Sequence, residues 1–219
     1  SAQSSARLLM ESSSLLSKSL SRLSSGSKLI SPEDDVAGQA VATRFDAQIS
    51  RTAAAKGNIA NAVSFSQTQD GFLKKVAGAL DRMSELSILS QDVTKTDTDR
   101  SLYNLEFSTL SAYVQDLGTK DYNGVSLFNG ATLNVTIDSD GNTFGMNGVN
   151  LSSTSYTAVF AATVGTTTAA SAALTVVKAA ISQLSSDRAG VGANVSRLNS
   201  TADQLGVLKD NLTSANSRI

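Results

Sequence analysis

Residues 174–219 read LTVVKAAISQLSSDRAGVGANVSRLNSTADQLGVLKDNLTSANSRI, and this stretch decides the fold. Val177, Leu184, Val191, Leu198, Leu205, Leu212 and Ile219 return at every seventh position. Leu174, Ile181 and Val195 form a companion row, which continues through Arg188, Ala202, Lys209 and Asn216. A seven-residue apolar repeat lays one ridge along an α-helix, so the spacing predicts a helix from about Thr167 to the chain end with coiled-coil-like packing. Gly190 and Gly192 weaken it locally. Neither Gly nor Pro stops the pattern before Ile219, which predicts a helix continuing past that residue.

A ridge of this length needs long partners, and the sequence upstream supplies them. Ser31-Pro32-Glu33-Asp34 places an N-cap serine, a proline at the first helical position and acidic residues in the first turn. Glu33, Asp34 and Asp35 therefore read as a helix start and not as a metal or acid–base cluster. From there to about Val93, Ile59, Val63, Leu73, Val76, Leu80 and Met83 recur mostly at steps of three and four. They predict one long helix of about 60 residues, on the order of 90 Å. A third helix, capped at Asp97 or Thr98, carries Tyr103, Phe107, Leu110, Val114 and Leu117 and should return antiparallel to the second.

Around these helices the texture changes twice. Asn123-Gly124, Asn129-Gly130, Asp140-Gly141 and Asn147-Gly148 separate short alternating runs such as Leu133–Ile137, the pattern of β-hairpins. At the N-terminus Leu9, Leu16, Leu20 and Leu23 stripe a helix whose other face is nearly all serine. Serine hydroxyls compete for the backbone, so this helix is marginal until its stripe finds a partner.

The 219 residues carry 18 Lys plus Arg against 19 Asp plus Glu, a net charge of −1, which excludes a strongly basic nucleic-acid binder. There is no Cys and no His, so thiol nucleophiles, imidazole bases, disulfides and ordinary zinc sites are excluded. Neither the P-loop nor the nucleophile-elbow motif occurs. The expected protein is not an enzyme and takes no cofactor. No run reaches the roughly 18 apolar residues of a membrane span.

Together these elements predict a mainly α protein: an elongated rod of long antiparallel helices with a small β-hairpin region mid-chain. The expected divisions are an N-terminal helix segment and linker over 1–30, a helical rod from 31–120 and 167–219, and a β-hairpin region over 121–166, with no large outer domain. Apolar stripes at both ends exceed the partner surface within one chain, which predicts self-assembly.

Specific motifs then identify a resemblance. Arg22-Leu23-Ser24-Ser25-Gly26 is followed by Asp34-Asp35-Val36-Ala37-Gly38-Gln39-Ala40. Ala47-Gln48-Ile49, Asn61-Ala62, Asp81-Arg82-Met83, Tyr122-Asn123-Gly124 and Leu127-Phe128-Asn129-Gly130 come next. Gly192-Ala193-Asn194, Asn211-Leu212 and Ala215-Asn216-Ser217-Arg218-Ile219 close the set. In this order, over about 15–130 and 170–219, the chain resembles bacterial flagellin. Compared with that family it starts without Met and a short leader and stops before a further helical segment. The resemblance therefore implies a core fragment lacking the terminal polymerisation segments, one expected to stay unpolymerised by itself.

The resemblance implies a structural subunit of the flagellar filament, secreted through the flagellar export apparatus with a chaperone, and a homopolymer outside the cell. Its expected assembly surface comprises Leu9, Leu16, Leu20, Leu23, Asp34, Asp35, Leu205, Leu212 and Ile219. Some flagellins are bound by the innate immune receptor TLR5. By position Arg82, Leu86 and Glu106 match that contact while Ser84 and Leu89 depart from it, so weak recognition is expected. The alternatives are a hook–filament junction protein of the same superfamily and a secreted coiled-coil adhesin or tether. No nucleic acid or membrane partner is implied.

Overall fold

The structure, a computed structural model, describes residues 2–26 and 35–219. The protein is mainly α: α1 (Ala2–Ser25), α2 (Val36–Leu89), α3 (Asp97–Leu117), α4 (Thr154–Phe160) and α5 (Thr167–Asn216). Two antiparallel strand pairs lie mid-chain, β1 (Asp121–Tyr122) with β2 (Val125–Ser126) and β3 (Leu133–Thr136) with β4 (Thr143–Met146). Two compact units result, one of Ser1–Lys56, Asp138–Asp140 and Asp203–Ile219, the other of Gly57–Ile137 and Gly141–Ala202.

The second unit holds the main core. Leu73, Val76, Leu80 and Met83 of α2, Phe107 and Val114 of α3, and Val177, Leu184, Val191 and Leu198 of α5 are all buried. The heptad ridge thus points inward as its spacing required. Its companion row is displaced, however: Ala173, Ala180 and Asn194 are buried while Leu174, Ile181 and Val195 are half-buried. Small side chains sit where the helix is most enclosed, and the larger ones cover its flank.

Turning from α2 into α3 depends on a buried cation. The Arg100 guanidinium donates to the Ser90 carbonyl, the Asp92 carbonyl and Asp97 Oδ1, each at 2.7 Å. Arg100 thereby satisfies the Ser90 carbonyl, joins the Lys95 N–H (3.3 Å) on the Asp92 carbonyl, and holds α3 beside α2. The N-cap of α3 is Thr96, not Asp97 or Thr98. Its hydroxyl accepts from the Asp99 N–H while the Thr96 N–H donates to Asp99 Oδ2 at 2.9 Å, a capping box with aspartate at the third position. That main-chain donor holds the Asp99 carboxyl below its ordinary pKa.

Helix α2 runs unbroken through Gly57, Gly71 and Gly78 and ends at Leu89, a few residues before the expected Val93. Ser31, Pro32, Glu33 and Asp34 lie outside the described residues. At the first described turn Asp35 acts as the cap, its Oδ1 accepting from the Gly38 N–H at 2.9 Å. Helix α5 continues through Gly190 and Gly192 to Asn216.

Two of the four Asn/Asp-Gly pairs are hairpin turns. Asn123 (φ 53°) and Gly124 (φ 78°) join β1 to β2, and Asp140-Gly141, with Gly141 at φ 88°, lies between β3 and β4. The other two face each other across a strand crossing. Gly130 N–H donates to the Val149 carbonyl at 3.0 Å, and a Cβ on Gly148 would collide with the Ala131 carbonyl oxygen. Phe65 meets Tyr122, and Phe72 meets Phe128, edge to face with centroids 5.9 and 6.3 Å apart, seating the β segment on α2. Sequence periodicity gives no sign of α4. Its buried Tyr156 donates to Asp187 Oδ2 of α5 at 2.6 Å, and burial pushes the phenol pKa up.

Candidate self-assembly surface

Helix α1 presents the largest anomaly in the molecule. Leu8, Leu9, Met10, Leu15, Leu16, Leu20 and Leu23 are between 57% and 84% exposed, and every residue from 3 to 25 is exposed. The four expected residues, Leu9, Leu16, Leu20 and Leu23, lie within one continuous apolar face widened by Leu8 and Leu15. Polar positions around it are mostly serine, and no carboxylate stands in the first turn to strengthen the helix N-terminus. Little in this segment stabilises a helix except what its apolar face comes to touch.

The end of α5 behaves differently. Leu205 is 5% exposed, so within this chain it does not stand on an open surface. Leu212 and Ile219 are half-buried. Ile219 approaches Gly38 at the start of α2, where a Cβ would stand 3.3 Å from the Ile219 Cγ2 and crowd the capping carboxylate of Asp35. Asn216 Nδ2 donates to Asp46 Oδ1 at 2.7 Å, fastening this end of α5 to α2. Val36, Val207 and Leu208 are the large apolar residues left open there. Asp35 is therefore a cap first, and Asp34 lies outside the described residues.

A second exposed set, not anticipated from sequence, lies where α3 runs beside α2. Ile88, Leu89 and Val93 near the end of α2, with Leu102, Leu105 and Tyr113 on α3, are all open to solvent. The signal was available: Leu102 and Leu105 fall off the row that Phe107 and Val114 send inward. Ser84, Glu85, Ile88 and Leu89 line a shallow depression on this face.

The residues matched by position to a receptor contact separate here. Leu86 is fully buried in the core and offers no surface. Arg82 is exposed and already engaged, its Nε 2.7 Å from Glu106 Oε1, its second nitrogen 3.1 Å from Oε2, and its third 2.9 Å from Glu85 Oε2. The guanidinium holds the Glu106 carboxyl below its usual range. Deeper in the same unit Arg188 reaches Asp70 at 2.8 Å, with Lys74 beside it at 3.0 Å, and Asp70 is likewise lowered, chiefly by its bond to Arg188.

Among the described residues no group of three or more His, Cys, Asp or Glu side chains is placed to hold a metal ion, and no helix is long and apolar enough to cross a membrane. What the exposed faces of α1, α2 and α3 can do chemically is bury apolar area against another surface.

Comparison with known proteins agrees with the motif pattern. The bacterial flagellin N-terminal helical region matches residues 1–132, and the bacterial flagellin C-terminal helical region matches 174–219. Flagellin of Escherichia coli O127:H6 is 32% identical over 86% of this chain, which spans 37% of that protein's length. Flagellin of Halalkalibacterium halodurans is 29% identical, with 92% of this chain and 76% of the relative covered. In structure the chain is similar to Bacillus cereus flagellin, with a TM-score of 0.60 at 21% identity over 68% of this chain and 88% of the other. It is also similar to a flagellar hook-associated protein of Vibrio parahaemolyticus, with a TM-score of 0.76 at 15% identity over 86% and 100%. At such identities the structural likeness establishes only the fold, which hook-associated protein and flagellin share; the two matched helical regions, in order and covering most of the sequence, show that this chain belongs to the bacterial flagellin family.

Proposed function

We propose that the protein is a structural subunit of the bacterial flagellar filament, self-assembling with copies of itself into the helical propeller used for swimming. The observation that carries this is the uncovered apolar face of α1. Covering a leucine contributes about 1.5–3 kcal/mol, so its four stripe leucines supply on the order of 6–12 kcal/mol. Association costs roughly 4–15 kcal/mol in lost freedom, so one such contact is marginal. Several contacts per copy, as in a polymer, make it favourable. The second apolar set on α2 and α3 supplies another contact of this kind, and Val36, Val207 and Leu208 add further exposed apolar side chains.

Membership of the flagellin family supports the remaining parts of this reading: delivery by the flagellar export apparatus with a chaperone, and residence outside the cell as part of the flagellum. It also supports the filament over the hook–filament junction and over an adhesin or tether, since the matched regions are those of flagellin. Recognition by the innate immune receptor is weak in this reading. Leu86 is buried, Arg82 and Glu106 are occupied with each other, and Ser84 and Leu89 replace the family's contact residues. Receptor signalling as strong as that of a potent agonist would overturn this part alone.

Electron microscopy of the purified protein, together with whatever flanking sequence its gene encodes, tests the main proposal in polymerising salt. Long helical filaments are expected. The triple variant Leu9→Ser, Leu16→Ser, Leu23→Ser should abolish them while leaving the melting transition of the core in place. A particle that stays single at every concentration and ionic strength would sink the proposal.

A further inference from the structure

Three asparagines of the β segment precede a glycine: Asn123, Asn129 and Asn147. In such a pair the glycine nitrogen is unshielded by any side chain and can attack the asparagine carboxamide carbon once it gives up its proton. As sequence the three pairs are equivalent, and Asp140-Gly141 differs in offering a carboxylate, a poorer electrophile.

Their surroundings are not equivalent. Gly124 N–H donates to Asp121 Oδ1 at 3.1 Å, inside the tight turn that winds Asn123 to φ 53°. Gly130 N–H donates to the Val149 carbonyl at 3.0 Å, and Asn129 Oδ1 is held by the Ala131 N–H at 2.9 Å. Each of these bonds retains the proton that must leave and fixes the nitrogen away from the side chain it would attack. Gly148 N–H makes no hydrogen bond among the described residues, and Asn147 and Gly148 are both exposed in a stretch without regular structure.

We propose that Asn147 is a self-modifying position, converting without an enzyme to aspartate and isoaspartate while Asn123 and Asn129 persist. The Gly148 nitrogen loses its proton to hydroxide and bonds to Asn147 Cγ. The Cγ–Nδ2 bond breaks, and the side-chain nitrogen takes a proton from water and leaves as ammonia. Water then opens the resulting five-membered imide at either carbonyl. Nothing is oxidised or reduced; one water is consumed and one ammonia released.

The product matters because of where it forms. Each conversion adds one carboxylate, taking the net charge from −1 to −1 − 1 = −2. The isoaspartyl product also lengthens the main chain by one methylene beside Gly148, where even a Cβ would collide with the Ala131 carbonyl. The Asn147 carbonyl, which accepts from Asn194 Nδ2 of α5 at 3.5 Å, is displaced with it. Modification therefore loosens the strand crossing that seats this segment on the helix.

Peptide mapping by mass spectrometry, on protein aged at mildly alkaline pH, tests the proposal. In the folded protein Asn147 should gain acid about tenfold faster than Asn123 or Asn129. In denaturant the three rates should converge, because their glycine neighbours are alike. Equal rates in the folded protein, a lead by Asn123 or Asn129, or an inert Asn147 under conditions that convert the unfolded chain would each overturn it. The measurement is indifferent to filament formation, so its failure leaves the assembly proposal standing.

Discussion

The leucine stripe of α1 and the ridge of α5 are written in the same spacing and meet opposite fates. Between Val177 and Leu205 every seventh residue of α5 is buried inside its own chain, while Leu9, Leu16, Leu20 and Leu23 of α1 are left in solvent. Periodicity identifies which face of a helix is apolar; it does not say what covers that face. The answer lies in the supply of matching surface. For α5 in the second unit, α2 and α3 provide Leu73, Leu80, Met83, Phe107 and Val114. For α1 no described residue is brought against the stripe closely enough to bury it.

The sharpest way to break this contrast is to truncate one leucine from each helix. Leu198→Ala, at a fully buried position, should cost about 3 kcal/mol in denaturant unfolding. Leu16→Ala should stay within about 0.5 kcal/mol in the same unfolding experiment, yet raise the concentration needed for polymerisation. If the two substitutions were equally costly to the unpolymerised chain, α1 would have an internal partner and the contrast would vanish. Arg100→Met is next in size. It leaves the Ser90 carbonyl without its donor and the Asp92 carbonyl with only the Lys95 N–H at 3.3 Å, and should cost about 2–3 kcal/mol, measured by the same unfolding midpoint. Tyr156→Phe removes the donor to Asp187, which keeps only Gln183 at 2.9 Å, and should cost about 1–2 kcal/mol.

The smallest effect is electrostatic and carries a pH signature. Asp70 is lowered by Arg188 in the folded protein, so its contribution is present above the ordinary carboxylate value and is lost as the pH falls below it. Asp70→Asn should therefore cost about 1 kcal/mol near neutrality, the scale of a partly exposed ion pair. The gap between variant and parent should close as the solution is acidified below about pH 4. A gap that widened in acid would mean the sign was misjudged.

Legibility in the sequence follows from the range of the forces involved. The helices and the turns at Asn123-Gly124 and Asp140-Gly141 rest on local spacing and local backbone preference, and both were readable. The capping box at Thr96 was readable too, had Asp99 been weighed beside the more familiar glutamate. Arg100 was not: a lone arginine among polar residues looks like surface until the chain doubles back and brings two main-chain carbonyls to it. The role of α4 was hidden for the same reason, since Tyr156 finds Asp187 across 31 positions of sequence. At the candidate surface, exposure of the α1 stripe was foreseeable from its lack of partners. Burial of Leu205 and Leu86 was not, because spacing assigns both to apolar faces without distinguishing an inner wall from an outer one.

Asp187 and Asn194 interrupt the flank of α5 with polar groups that each reach one counterpart outside the helix, Tyr156 and the Asn147 carbonyl. A ridge of Val and Leu repeated every seven positions is nearly self-similar, so sliding it by one repeat would leave oily contacts almost unchanged. The same slide would part the Asp187 carboxylate from the Tyr156 hydroxyl and the Asn194 carboxamide from its carbonyl. These two side chains act as a vernier mark: they single out one register of α5 within this unit from the nearly equivalent ones a repeat away.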